Sequence, residues 1–228
     1  GPGGQPLRER NAKNRGQHKT FIAEFGEGTP AAMEWVRWFM SLPLLIEKED
    51  FRVAHAYWSD DHVAEILGRR PDARLRPEDL EEIAAQKGPF ANAVLDMLKG
   101  PELALLPGDG FSDHYGHWRT EGRFRWWGEV PETWHDALAT MNDENAILTA
   151  GPFSCDTAPA SYDPEAKPLI IGHYKRRGEI VPEAGNVLCI DYPDRLVVYR
   201  ADGVLRPEID LSLMLDLSAV EEENLCEP

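Results

Sequence analysis

The stretch KPLIIGHYKRRG, residues 167–178, decides the fold. Pro168 to Ile171 carries no polar side chain, and so short an apolar run reads as a strand buried on both faces, the kind found in parallel sheets. Gly172 ends the run and His173 follows at once. A histidine at the end of a buried strand is held rigidly, and a glycine before it lets another backbone or a metal-bound oxygen approach.

Upstream, FRVAHA (51–56) alternates, so Phe51, Val53 and His55 share one face. Leu44 to Ile46 precedes it across the charged turn Glu47–Asp50, and the pair predicts a hairpin. His55 therefore also stands near a strand end. Two histidines from different strands can converge on a zinc-, manganese- or iron-type ion, with ring nitrogens about 2.0–2.1 Å from the metal. A strand-end histidine also serves as a satisfied structural residue, and the residues alone leave both readings open. Downstream, VLCI (187–190) and LVVY (196–199) predict a second hairpin over Asp191-Tyr192-Pro193-Asp194.

Between these strands the chain turns helical. Val63, Ile66 and Leu67 form one stripe, Leu80, Ile83 and Ala84 a second, and Phe90, Val94, Met97 and Leu98 a third. Pro71 and Gly88-Pro89 separate them, which predicts a helical lobe at about 60–100. Residues 8–25 read as a polar helix with apolar positions only at Phe21, Ile22 and Phe25, ended by Gly26 and Gly28. Thr29 and Pro30 open a better-marked helix. In it Trp35, Trp38, Phe39 and Leu42 recur at i, i+3, i+4 and i+7, which predicts one buried stripe, and Pro43 stops it. A short helix is predicted over roughly 133–141. The expectation is a single α/β domain over 1–228, with chemistry where strands give way to loops.

Composition narrows the function classes. Seven Trp, eight Phe and six Tyr supply a core, whereas a net charge of −16 argues against binding a nucleic-acid backbone. Cys155, Cys189 and Cys226 are widely spaced and form neither a disulfide framework nor a CxxC pair, so the expected compartment is cytoplasmic. No apolar run approaches the roughly 18 residues of a membrane span, and the polar, Gly-rich start is no signal peptide. An acidic tail at Glu221–Glu223 reads as solvated.

Three further clusters carry two readings each. Arg119, Arg123 and Arg125 with Trp126 and Trp127 could contact phosphate, or form a polar strand snorkelling over buried Trp; Arg119 is the functional candidate. In GDGFSDHYGH (108–117), Asp109, Asp113, His114 and His117 could ligate a metal, while Gly110 and Gly116 favour a surface loop. Cys189 lies inside an apolar strand and reads as an inert thiol. There is no P-loop, GxGxxG or GxSxG.

SLPLLIEKEDFRVAHAYW (41–58) is similar to the fourth motif region of bacterial serine/threonine-type phosphoprotein phosphatases and diadenosine tetraphosphatase-like proteins, members of the calcineurin-like metallophosphoesterase superfamily. KPLIIGHYKRRG resembles their final motif, and NVLCIDYPDRLVVYRADG (186–203) the strand pair that closes the domain. The three blocks stand in family order. The resemblance implies a two-sheet core flanked by helices, and His55 and His173 as ligands of a site for two divalent ions of Mn, Fe or Zn type, with Gly172 placing His173. It implies hydrolysis of a phosphomonoester or dinucleoside polyphosphate by metal-activated water, on a small phosphorylated substrate or a phosphoprotein. The family's Asp-x-His, Gly-Asp-x-x-Asp-Arg and Gly-Asn-His-Glu motifs are not in this sequence. The expectation is therefore the C-terminal two-thirds of such a domain, inactive alone and able to associate with the missing N-terminal segment. The alternative is a non-catalytic pseudo-phosphatase or a ligand- or partner-binding module. Tyr57 and Lys175 also replace the family's usual Cys and Trp beside the two ligands.

Overall fold

The computed structural model describes residues 6–113, 116–139, 145–200, 209 and 211–216. The chain is mixed α/β with several small sheets and, among the described residues, six α-helices. It falls into two compact units, Gly1–Leu45 with Asp60–Leu95, and Ile46–Ser59 with Asp96–Pro228. Among the described residues no helix is long and apolar enough to cross a membrane.

In the first unit the expected polar helix forms as two, α1 (Ala12–Gly16) and α2 (Lys19–Phe25). Gly16 and the lack of apolar positions before Phe21 give the break its cause, since a short polar helix has neither propensity nor packing to extend it. Helix α3 (Pro30–Ser41) starts and stops as expected. The Ala32 N–H donates to Thr29 Oγ1 at 3.2 Å, and Pro43 follows the last turn.

The stripe on α3 is not buried, against expectation. Ala32 is its one buried residue, while Trp38 and Phe39 are 50% and 51% exposed. The rings of Phe21, Phe25, Trp35, Trp38 and Phe39 instead lie against one another, with centroids 4.9 to 6.5 Å apart. Periodicity shows which side chains share a face. It does not show what covers that face.

The helical lobe forms as α4 (Asp60–Arg69), a 3-10 turn at Pro77–Asp79, α5 (Leu80–Ala85) and α6 (Pro89–Lys99). Its first and third stripes are buried at Val63, Ile66, Phe90 and Val94, whereas the second, Leu80, Ile83 and Ala84 on α5, is only half-buried. A polar anchor joins them. Asp79 is fully buried and accepts from Arg70 Nε at 2.9 Å, Arg70 Nη2 at 2.7 Å and the Arg76 N–H at 2.8 Å. Burial pushes its carboxyl up, but the Arg70 and Arg76 bonds prevail and hold it below the usual carboxylate range.

In the second unit β1 (Leu45–Glu47) and β2 (Arg52–Ala54) form the expected hairpin, its turn closed by the Lys48 N–H on Phe51 O at 2.9 Å. Strands β3 (Glu102–Ala104), β4 (Phe111–Ser112), β5 (Trp118–Arg119) and β6 (Glu121–Arg123) make two antiparallel ribbons, β3 with β6 and β4 with β5. The buried apolar run becomes β7 (Leu169–Ile171). It lies parallel to β2 on one side and to β8 (Val187–Cys189) on the other, giving the sheet order β1-β2-β7-β8. The expected second hairpin does not form: β9 (Val197–Tyr199) pairs antiparallel with β10 (Met214–Asp216). Val187, Leu188 and Cys189 are all fully buried, which suits a neighbour of β7, whereas Val198 and Tyr199 are half-buried.

The helix expected near 133–141 is not formed over its described part. Thr133 Oγ1 donates to Asp136 Oδ2 at 2.7 Å and closes a single turn. That turn seats Trp134 and Leu138 against Leu105 and Phe111. Residues 140 and 141, the acidic tail, Cys226 and His114 lie outside the described residues.

Candidate metal centre

Three parallel strands end side by side. Val53 pairs with Ile170, Ile170 with Leu188 and Ile171 with Cys189, so the chain leaves the sheet at His55, at Gly172-His173 and at Ile190-Asp191. The ladder runs slightly further: the Gly172 N–H donates to His55 O at 3.0 Å and the Ile190 N–H to Ile171 O at 2.9 Å. This is the carboxyl edge at which parallel sheets gather functional groups.

The two imidazoles predicted as a pair stand together, ring centroids 5.3 Å apart at 65°. His173 adopts φ +69° and Lys175 φ +47°, the left-handed region that is strained for residues with a Cβ. Gly172 joins the two strand ends through its N–H on His55 O. A Cβ there would sit 3.7 Å from both His55 O and Asp191 Cβ, an ordinary contact, so no close approach by the rest of the chain requires glycine.

The strain at His173 is held by its neighbour. Tyr174 is buried, accepts from Trp126 Nε1 at 2.8 Å and donates from its hydroxyl to Ala56 O at 2.9 Å. The residue after one histidine is thus tied to the residue after the other. Burial pushes the Tyr174 phenol well above its ordinary value, so it stays a neutral donor. Tyr57 points into the same core, its ring 5.2 Å from Trp126, while Lys175 is exposed.

Both imidazoles are biased toward the neutral form. Lost hydration lowers His173 to about 4, with the positive charge of Arg123 and the neighbouring His55 acting in the same direction and Asp191 opposing them. His55 keeps an exposed edge and is lowered by the same loss of hydration, again against the pull of Asp191. A neutral imidazole offers a lone pair, the form a metal ion takes.

Two nitrogen donors fall short of a full site, because a bound divalent ion uses at least three protein ligands. Among the described residues no group of three His, Cys, Asp or Glu is placed to hold a metal. His55 and His173 fit as part of a ligand set and not as the whole of one.

Arg119 and Arg123 separate clearly. Arg119 lies exposed on β5 and donates to Asp113 Oδ2 at 3.1 Å. Arg123, on β6, donates to Lys99 O, stands 3.9 Å from Glu102, and is the arginine whose charge reaches His173. Arg125 binds the carbonyls of Asp136 at 2.7 Å and Trp127 at 3.2 Å above the buried Trp126 and Trp127, so for it the structural reading holds. In the 108–117 segment Asp109 is buried and accepts from the Thr149 N–H and Oγ1, a loop clamp. Cys189 is buried, its thiol pushed up by burial, in keeping with an inert role.

Asp191 and Arg123, whose charges act on the histidines, carry no signal in the sequence that links them to His55 or His173. Asp191 looked like the first residue of a hairpin turn, and only its exit from a strand parallel to β7 brings its charge to both histidines. No spacing singles out Arg123 from Arg119. No protein-family model matches the chain, and no curated protein and no solved structure matches it.

Proposed function

We propose that His55 and His173 are two nitrogen ligands of a divalent-metal site in a phosphoesterase that hydrolyses a phosphomonoester or a dinucleoside polyphosphate. The observation that carries this reading is the convergence of two imidazoles, both biased to the neutral form, at the ends of adjacent parallel strands. Bound at such a site, a metal ion supplies an activated water and neutralises phosphoryl oxygens.

The chain's own groups have assignable tasks. The Tyr174–Ala56 hydrogen bond fixes the spacing of the two ligand segments. Arg123 carries a positive charge that disfavours a proton on His173, and its guanidinium is the group we assign to a phosphoryl oxygen. The remaining ligands must come from outside the described residues.

Manganese-dependent hydrolysis of p-nitrophenyl phosphate and diadenosine tetraphosphate by the full-length gene product tests this. His55→Ala and His173→Ala should each lower kcat/KM by about 100-fold or more, the usual order for losing a principal catalytic group. Unchanged rates in both variants would sink the site assignment.

The incomplete ligand set favours a second reading, a non-catalytic binding module. Metal content after gel filtration separates the two: one or more retained ions per chain counts against a dead scaffold.

A further inference from the structure

The first unit holds a groove of about 620 Å³, walled by Leu7, Arg8, Arg10, Arg15, Lys19 and Ile22 among others. Its charge is the reverse of the chain's. Its wall carries the four cations Arg8, Arg10, Arg15 and Lys19 against the two acids Glu9 and Glu27, in a protein of net charge −16. Two of the cations are engaged: Arg8 donates to Gln17 Oε1 at 2.9 Å and Arg10 pairs with Glu27 at 3.0 Å. Among the described residues, Arg15 and Lys19 make no ion pair and no side-chain hydrogen bond. They are also exposed, so each attracts a lone charge weakly and salt screens the attraction. Several negative charges on one ligand would be needed to hold it there.

We propose that this groove binds an organic polyphosphate, its phosphate chain on Arg15 and Lys19 and its apolar part against Leu7 and Ile22. The volume lies within the roughly 300–1,000 Å³ usual for small-molecule sites. Guanidinium supplies the forked donor set that phosphate takes, and lysine a point charge beside it. Leu7 is half-buried and Ile22 likewise, so the wall gives a ring a surface that bare inorganic phosphate would not use. This site does not depend on the phosphoesterase reading, since none of its residues belongs to the histidine pair.

Calorimetric titration of the protein with ATP and with inorganic tripolyphosphate, without magnesium, at about 0.1 M salt, tests it. Saturable binding that weakens at least tenfold in the double variant Arg15→Glu, Lys19→Glu, and is retained in His173→Ala, supports the site. ATP binding several-fold tighter than tripolyphosphate supports the apolar contact, and equal or weaker ATP binding overturns the assignment to an organic polyphosphate. Absence of saturable binding, binding unchanged in the double variant, or binding lost only in His173→Ala overturns the proposal. Should the charge-reversed variant fail to keep the wild-type circular dichroism, Arg15→Gln, Lys19→Gln takes its place with the same expected loss.

Discussion

At the residue scale, a buried phenol ties the two histidine segments together. Tyr174 Oη joins Trp126 Nε1 to Ala56 O, and all three groups are out of solvent. Tyr174→Phe would leave a buried N–H and a buried carbonyl without their partner, a loss of about 1–3 kcal/mol. It should appear as a lower urea midpoint with an unchanged m-value. Gly100, at φ +77°, faces the same hydroxyl so closely that a Cβ would collide with it. Its conformational freedom is therefore needed there, as that of Gly172 is not. The sequence made His55 and His173 readable because each stands at the end of a strand, the first alternating and the second wholly apolar. Asp191 was not readable, because a turn and a strand exit have the same composition of Asp, Tyr and Pro.

At the element scale, the boundaries of α3 followed local chemistry closely, and its face did not. Thr29-Pro30 and Pro43 bracket α3 as caps and breakers should. The burial of its Trp and Phe positions failed as an expectation, because nothing in a single helix specifies the surface laid against it. The lobe is a mixed case: α4 and α6 bury positions of their stripes, α5 buries none, and a polar anchor holds α4 to the 3-10 turn. Asp79→Ala would leave the Arg76 N–H without its acceptor and the Arg70 guanidinium with Glu78 alone, and losing the hydrogen bonds to a carboxylate in this way costs about 1–3 kcal/mol. Thermal denaturation followed by circular dichroism checks this, and a loss below about 1 kcal/mol would mean that the pair is effectively solvated.

At the scale of the whole molecule, the lowered histidines couple stability to pH. The folded His173 titrates near 4 against an ordinary 6.5, so between those values the unfolded chain binds a proton that the folded chain refuses. Its contribution is complete above about pH 6.5 and is lost as pH falls toward 4; His55 acts in the same direction. In metal-free protein, urea midpoints should fall more steeply over this window in the wild type than in His173→Gln, and parallel profiles would refute the shift. By itself the sequence determined the limits of α3, the buried run Leu169–Ile171 and the two strand-end histidines, because caps, breakers and apolar runs act within a few residues of chain. Only the tertiary structure decided that β8 joins β7 rather than β9, that Asp191 and Arg123 bring their charges to the imidazoles, and that the α3 aromatics remain open to solvent. Those outcomes depend on contacts between segments far apart in sequence, and pairwise packing of that kind leaves no local periodicity to read.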